Sequence, residues 1–172
     1  MRYVILLSLL LASSLGLRAQ DLPIDPETGK IVYQEVVNVP GASADELFHK
    51  ANYWLNTYFP SIQNQVEMID SVNHEVVCKR YFQMHVGYFQ PPKITITIKL
   101  QSKKEKYRYT IKDFNLFFNS AMGFIDCGSI TSEYPDKCKK GLWKRVRNNL
   151  PPKMEEIISA MKTSITTEED DW

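Results

Sequence analysis

The chain has 172 residues, of which 44% are hydrophobic, 12% aromatic and 24% charged. The aromatic content is too high for a disordered protein, and the length leaves little room for two independent cores. With 21 Lys plus Arg against 20 Asp plus Glu, the net charge is +1, which does not favour general nucleic-acid binding. Composition therefore predicts one ordinary globular domain.

The N-terminal segment has the order of features found in secretory signal peptides. Arg2 is positively charged, an apolar, Leu-rich stretch runs from Tyr3 to Leu17, and the small residue Ala19 follows. The apolar stretch is short for a transmembrane helix, which needs about 20 apolar residues, although a retained anchor is the alternative. We therefore expect residues 1–19 to be removed and the protein to be exported, to the periplasm or outside the cell, with no integral membrane span. Removing Arg2 and Arg18 lowers Lys plus Arg from 21 to 19 against 20 acids, a net charge of −1.

Charge is distributed unevenly near the C-terminus. Residues 137–147 are rich in Lys and Arg, whereas residues 167–172 form an acidic tail that ends in Trp172. Blocks of like charge usually remain exposed to solvent. We therefore expect a leader over 1–19, a single domain over 20–166 and a flexible acidic tail over 167–172.

The first two elements are a strand and a helix. Ile31 to Val39 is β-branched and apolar and predicts a strand. Ser43 and Glu46 fit a capping box, in which each side chain bonds a backbone N–H at the start of a helix. Pro60 ends this helix. Its apolar residues recur at helical spacing and predict one buried stripe: Leu47, Ala51, Trp54, Leu55 and Tyr58.

Strand patterns follow, then helices. We expect a short strand over 66–69, a long one over 76–89, and two alternating strands over 94–101 and 107–112. Arg80 interrupts the apolar face of the long strand and suggests a sheet edge. Residues 114–134 are interpreted as a loop that packs on the core. A short helix over 139–148 and a second helix beginning at the prolines 151–152 complete the domain.

The order β-α-β-β-β-β-α predicts an α+β fold in which helices cover one face of a single antiparallel sheet. The core is expected where the alternating strand over 94–101 meets the apolar stripes of the helices that carry Trp54 and Met154. The opposite face of such a sheet is exposed to water.

Three cysteines are present: Cys78, Cys127 and Cys138. Export would permit a disulfide, and Cys127 and Cys138 flank a loop-like segment. A bond between them would close a loop of roughly ten residues and stabilise the fold by about 3 kcal/mol. Because pairing depends on geometry that the sequence does not show, the bonded and unbonded states both stay open. Cys78 lies in a strand pattern and is expected to be a buried thiol.

Part of the chain resembles a known family. The similar residues are Leu22-Pro23, the run from Thr28 to Ser43, Glu46-Leu47-Phe48 and Trp54. They resemble a family of exported proteins of Gram-negative bacteria, described as a domain of unknown function with a fold like that of the TATA-box-binding protein. The resemblance implies the strand and helix order given above and does not extend to the segment 119–140. It implies no catalytic or binding residue, and the name of the fold does not imply DNA binding.

Common catalytic and metal-binding patterns are missing from the sequence. The three histidines, His49, His74 and His85, have no metal-ligand spacing, and the cysteines have no Cys-x-x-Cys spacing. On one strand, Cys78 and His85 would point to opposite faces and lie about 23 Å apart, so they would not form a nucleophile–base pair. No Gly-x-Ser-x-Gly elbow or phosphate-binding Gly-rich loop occurs. We therefore expect no cofactor, no metal and no enzymatic activity.

Two surfaces are candidates for binding, although a solvated sheet face and a solvated helix face are the alternatives. The outer face of the sheet offers polar and aromatic side chains that suit a peptide or glycan, among them Tyr81, Gln83 and His85. The basic segment suits anionic lipid or cell-wall polymer. Its residues are Lys139, Lys140, Trp143, Lys144 and Arg147.

The first functional hypothesis is a non-enzymatic binding or assembly module of the cell envelope, with a protein, peptide or glycan as its partner. The second is a small hydrolase with carboxylates or Cys78 in a cleft between sheet and helices, which would need a perturbed acid or thiol in a pocket. Export and a mature charge of −1 do not favour nucleic-acid binding.

Overall fold

The computed structural model describes residues 22–59, 65–87, 90–120, 123–131, 133–135 and 137–167. The predicted leader and residues 168–172 of the predicted tail lie outside these ranges. The described elements are β1 (Tyr33–Asn38), α1 (Ala44–Tyr58), β2 (Gln65–Asp70), β3 (Glu75–Gln83), β4 (Lys93–Lys103), β5 (Lys106–Ser120), β6 (Gly123–Ser129) and α2 (Lys140–Thr166). Within these ranges, neither helix combines the length and the apolar character that crossing a membrane requires.

The strands form one antiparallel sheet in the order β1-β5-β4-β3-β2. The first half of the 15-residue strand β5 pairs with β1 and the second half pairs with β6. The two helices contact each other, and the buried side chains of both pack on one face of the sheet. The predicted class, α+β with a single antiparallel sheet, is confirmed.

The core lies between the sheet and the helices. In β4 the side chains of Ile94, Ile96, Ile98 and Leu100 are buried, as their alternation predicts. Leu47, Ala51, Trp54 and Leu55 of α1 pack against them, together with apolar residues of α2 such as Leu150 and Met154. Because one face of each strand is used in this way, the other face is left to polar residues.

The start of α1 uses half of the predicted capping box. The Ser43 Oγ accepts a hydrogen bond from the Glu46 backbone N–H at 3.1 Å. The Glu46 side chain does not return to Ser43 but accepts a hydrogen bond from the Lys50 Nζ at 2.8 Å. The helix ends at Tyr58, close to the predicted stop.

Replacing the helix cap gives a first test of this local structure. We expect Ser43→Ala to lower the free energy of unfolding by about 1 kcal/mol, because it leaves a backbone N–H without its side-chain acceptor. Urea unfolding measures the change. Ser43→Asp, which keeps an acceptor, should remain within a few tenths of a kcal/mol of the native protein. Equal losses in both variants would contradict a capping role.

The segment 114–134, expected to be a loop, instead contains the second half of β5 and the whole of β6. A β-bulge explains the difference: between Thr95 and Thr97 the strand β4 advances by two residues while β5 advances by three. The extra residue is Asp113, whose φ is 57°. Beyond it the buried positions of β5 change from odd to even numbers, so the alternation is broken in the sequence.

The two predicted C-terminal helices are one continuous helix, α2, with Pro151 and Pro152 inside it. A proline in a helix lacks the N–H that bonds the preceding turn, which normally ends or bends the helix. Here the apolar stripe stays in phase through the prolines, with Val146, Leu150 and Met154 all buried. We infer that this continuous packing outweighs the missing hydrogen bonds.

Strand β3 is shorter than predicted. It ends at Gln83, although Met84 and Val86 beyond it remain buried. Arg80, expected near an edge of the sheet, is only 3% exposed and lies opposite Ile96 of β4. The inference from Arg80 to a sheet edge was wrong, because β3 lies between β4 and β2 and its core face continues through Arg80.

Candidate binding face of the sheet

The side of the sheet opposite the helices, here called the open face, carries the polar residues that alternate with the core. In β4 these are the odd-numbered positions from Lys93 to Lys103. The strand register places the matching positions of β3 and β5 beside them, for example Lys79 opposite Thr97 and Thr97 opposite Lys112. No described element packs over this face.

The open face is strongly basic. Strands β3, β4 and β5 place seven cationic side chains on it: Lys79, Lys93, Lys99, Lys103, Lys106, Arg108 and Lys112. Apart from Asp113 at the bulge, Glu75 is the one carboxylate at the described open-face positions of these three strands. It is engaged on both oxygens, because Lys99 Nζ lies 2.8 Å from Oε1 and Gln101 Nε2 donates to Oε2 at 2.7 Å.

The basic side chains converge on a pocket at the end of the sheet where β4 turns into β5. The pocket has a volume of about 170 Å³. Its lining residues come from β1, β4 and β5: Val36, Gln101, Lys103, Lys106, Tyr107 and Arg108. Lys103 lies directly opposite Lys106, and Arg108 lies between Gln101 and Val36. Within the described ranges, none of the three cations that line the pocket has a carboxylate at ion-pair distance.

The turn that forms this pocket is held by the neighbouring chain segment. The Val39 N–H donates to the Glu105 carbonyl at 2.8 Å, and the Glu105 N–H donates to the Ala42 carbonyl at 2.9 Å. The Glu105 carboxylate accepts a hydrogen bond from the Gly41 N–H at 3.3 Å. The turn is therefore fixed to the connection between β1 and α1, and its carboxylate is drawn toward that connection.

The three predicted residues of the sheet face lie on the open face at the end away from this pocket. Gln83 and His85 are exposed, and Tyr81 is half-buried. The Lys93 Nζ stands 3.9 Å from the centre of the Tyr81 ring, a cation–π contact. The Tyr81 ring is thus already in contact with a protein cation on this face.

The predicted basic surface of the C-terminal segment lies at the start of α2, on the helix side of the sheet. Lys139, Lys140 and Lys144 are exposed and Arg147 is half-buried. The expectation that Trp143 belongs to this exposed surface was wrong, because its side chain is only 4% exposed. Trp143 lies in phase with the buried residues of α2 and is part of the core. The start of α2 does contact the segment that follows β3, since Arg145 Nη1 donates to the Val86 carbonyl oxygen at 3.2 Å.

The cysteines do not form a reactive site. Cys127 of β6 and Cys138, just before α2, are joined by a disulfide with a Cα–Cα distance of 5.3 Å. Cys78 is 0% exposed, and its Sγ lies 3.8 Å from the Ile98 carbonyl oxygen in the core. His85 is exposed on the other face of the sheet. Among the residues that the structure describes, no group of three metal-binding side chains occurs.

Sequence reasoning missed the basic pocket. The residues 102–106 are recognisable as a charged hairpin turn, and Gln101 and Arg108 are recognisable as outward positions of alternating strands. The missing information was the register, which places Lys103 opposite Lys106 and brings Val36 beside Arg108. The signal that was available is the abundance of Lys and Arg at the outward positions of the two strands.

A family model and solved structures show which proteins the chain is similar to. The family model described as a domain of unknown function (DUF4468) with TBP-like fold matches residues 33–117, which include β1, α1, β2, β3, β4 and most of β5. Over these 85 of its 172 residues the chain is similar to the DUF4468 family. The expected resemblance is thereby confirmed, and so is the TBP-like fold.

Solved structures agree with this assignment at the level of the fold. A DUF4468 family protein from Bacteroides ovatus ATCC 8483 superposes with a TM-score of 0.63 at 10% identity, covering 91% of this chain and 95% of its own. A TBP-like protein from Parabacteroides distasonis ATCC 8503 gives 0.59 at 11% identity, covering 78% and 94%. Among curated proteins, none matches the chain significantly.

Proposed function

We propose that this protein is an exported, non-enzymatic binding module whose open face binds an anionic glycan of the cell envelope. The observation that carries the proposal is the set of seven Lys and Arg side chains on an uncovered sheet face in a chain of net charge +1. The leader predicted over residues 1–19 supports the export part of the proposal.

Apart from Glu75, Asp113, and Asp70 and Asp126 on the flanking strands β2 and β6, the acidic residues that balance these cations lie elsewhere. Asp45 and Glu46 are in the first turn of α1, and Glu155 and Glu156 are exposed on α2. Glu35 faces the helix side, where Lys162 Nζ and the Tyr109 hydroxyl donate to it at 2.7 and 2.8 Å and hold the pKa of its carboxyl below the ordinary value. This separation gives the open face a positive potential that attracts anions over several ångströms.

The residues between the cations favour a glycan over other polyanions. Thr110 and Asn115 are partly exposed and carry hydroxyl and amide groups that can share hydrogen bonds with sugar hydroxyl groups, beside their bonds to Gln34 and to the Asp113 carbonyl oxygen. Binding of single-stranded nucleic acid relies on aromatic rings on which the bases stack. On the open face of β3 the ring of Tyr81 is half-buried and in contact with Lys93. Phe117 of β5 and the 66% exposed Phe124 of β6 also lie on this face, at the end away from the β4–β5 turn, so the part of the face near that turn offers charge and hydrogen bonds more than stacking.

Binding of the exported protein to polysaccharides tests the proposal. We expect it to bind heparin and polygalacturonate, with a Kd that rises as salt is added, and not to bind neutral dextran. The triple variant Lys79→Glu, Lys106→Glu and Lys112→Glu should weaken binding at least about tenfold, because it cancels the net positive charge of the seven cations and Glu75. Calorimetry or biolayer interferometry measures the affinity.

A matched control tests whether binding depends on the charges of the open face or only on the total charge of the protein. The variant Lys139→Glu, Lys140→Glu and Lys144→Glu makes the same change of charge with exposed residues on α2. It should keep most of the affinity. Equal losses in the two triple variants would contradict an open-face site. Tighter binding of a DNA duplex than of either polysaccharide would replace the glycan with nucleic acid.

A further inference from the structure

The pocket at the β4–β5 turn suggests how one charged group of such a ligand is held. We propose that Gln101, Lys103, Lys106 and Arg108 form a subsite for a single oxyanion group of the glycan, a sulfate or a carboxylate. This inference rests on the proposed function and adds to it the place on the face where an anionic substituent is recognised.

The like charges around the pocket lower the stability of the folded protein, so stability does not explain their arrangement. Lys103 and Lys106 are direct cross-strand neighbours, and like charges in that position are destabilising. Arg108 lies on the same face two residues after Lys106, so three cations meet without a carboxylate at ion-pair distance in the described part of the chain. An anion in the pocket would relieve this repulsion.

The nearest carboxylates are held by other partners. Glu75 binds Lys99 and Gln101 through its two oxygens, and Glu105 accepts from the Gly41 N–H. The hydrogen bond from Gln101 Nε2 to Glu75 also orients the Gln101 amide at the border of the pocket. The cations of the pocket therefore remain available to a ligand.

The pocket is held in shape before any ligand arrives. The hydrogen bonds that join Glu105 to Val39 and Ala42 fix the turn between the two strands. The Ser102 N–H also donates to the His74 carbonyl at 2.9 Å, which anchors the end of β4. Preorganised donors bind more tightly because less ordering is needed when the ligand binds.

The size and chemistry of the pocket suit one substituent on a sugar ring. Its volume of about 170 Å³ is several times the roughly 30 Å³ that one water molecule occupies. The planar guanidinium of Arg108 can donate two parallel hydrogen bonds to one oxyanion. Val36, which is 46% exposed, supplies an apolar wall for the C–H groups of the attached ring.

An NMR titration of the exported protein with sodium sulfate, at constant ionic strength kept with sodium chloride, tests the subsite. We expect saturable shifts of the backbone amides of residues 101–108. Arg108→Gln should weaken sulfate binding at least about tenfold, the lower range for a hydrogen bond between charged groups. Arg108→Lys should retain part of the affinity, because it keeps the charge and loses the paired donors.

Lys144→Gln is the matched control, since it removes one exposed cation on α2, outside the pocket and outside the open face. It should leave the affinity for sulfate within about twofold of the native value, in keeping with a screened charge at a distance. Shifts that rise linearly with sulfate, or equal losses in Arg108→Gln and Lys144→Gln, would overturn the subsite. Native amide spectra of each variant establish that it is folded.

The same variants separate the two proposals. If the native protein binds heparin and Arg108→Gln binds it equally well, the subsite is wrong and the open-face function stands. If sulfate occupies the pocket but neither heparin nor polygalacturonate binds, the subsite stands as an anion site and the glycan function is wrong. Parallel losses of sulfate and heparin binding in Arg108→Gln support both.

Discussion

Trp143→Ala should lower the free energy of unfolding by about 3–5 kcal/mol, the usual result of truncating a buried aromatic residue. The side chain is 4% exposed and belongs to the core, although its neighbours in the sequence are basic. Urea unfolding of the variant measures the loss. Binding of polyanions by the folded fraction should be unchanged, because Trp143 is not on the open face.

Lys144→Ala is the neighbouring control, since Lys144 is exposed on the same helix. Exposed substitutions of this kind usually change stability by no more than about 0.5 kcal/mol. If both variants lost less than 1 kcal/mol, as expected for surface positions, Trp143 would lie at the surface. The basic surface predicted from residues 139–147 would then include it after all.

The paired variant Cys127→Ser and Cys138→Ser should lose about 3 kcal/mol, because the unfolded chain regains the freedom that the bond removes. The bond joins residues 11 positions apart and links β6 to the start of α2. Unfolding with and without a reducing agent measures the effect. The native protein should lose stability on reduction and the paired variant should not respond.

Cys78→Ala provides the control for the third cysteine. Cys78 is buried and takes no part in the disulfide, so this variant should keep the response to the reducing agent. Its own loss of stability should be of the order of 1 kcal/mol, from the small cavity left by the sulfur. A variant that no longer responds to reduction would show that Cys78 is bonded in solution.

The elements predicted best are those whose pattern is decided locally. In β4, Ile94 to Leu100 alternate strictly with polar residues, and a half-buried strand is the one structure that satisfies this pattern. In α1 the helical spacing of Leu47, Ala51 and Trp54 is preceded by the Ser43 cap. For these elements the buried face follows from the sequence without any knowledge of the neighbours.

The elements predicted poorly depend on partners that are distant in the sequence. Strand β5 loses its alternation at Asp113, and only pairing with β4 shows that the strand continues. Pro151 and Pro152 are strong local signals for the start of a helix, but packing on the core continues α2 through them. Tertiary contacts override local preference in both cases.

In the candidate site, too, some features follow from the local sequence and others depend on residues that are distant in the sequence. That the sheet has an open face with polar residues follows from alternation and from the placing of the helices on one side. The pocket depends on the register between three strands, which brings Val36 of β1 to Arg108 of β5 across 72 residues of sequence, from 36 to 108. The Lys and Arg residues at outward positions can be identified from the sequence. Which of them lie next to each other is known only when the register of the paired strands is known.

The bulge at Asp113 also has a consequence for how this sheet can change shape during evolution. The residues on either side, Lys112 and Phe114, face the solvent and the core as they would in a regular strand without Asp113. Deleting that one residue would therefore straighten β5 without exchanging its inner and outer side chains. Single-residue insertions and deletions at this point would alter the curvature of the surface offered to a ligand while leaving the composition of the core intact. A change of one residue at this position is therefore a simple route to a differently curved sheet.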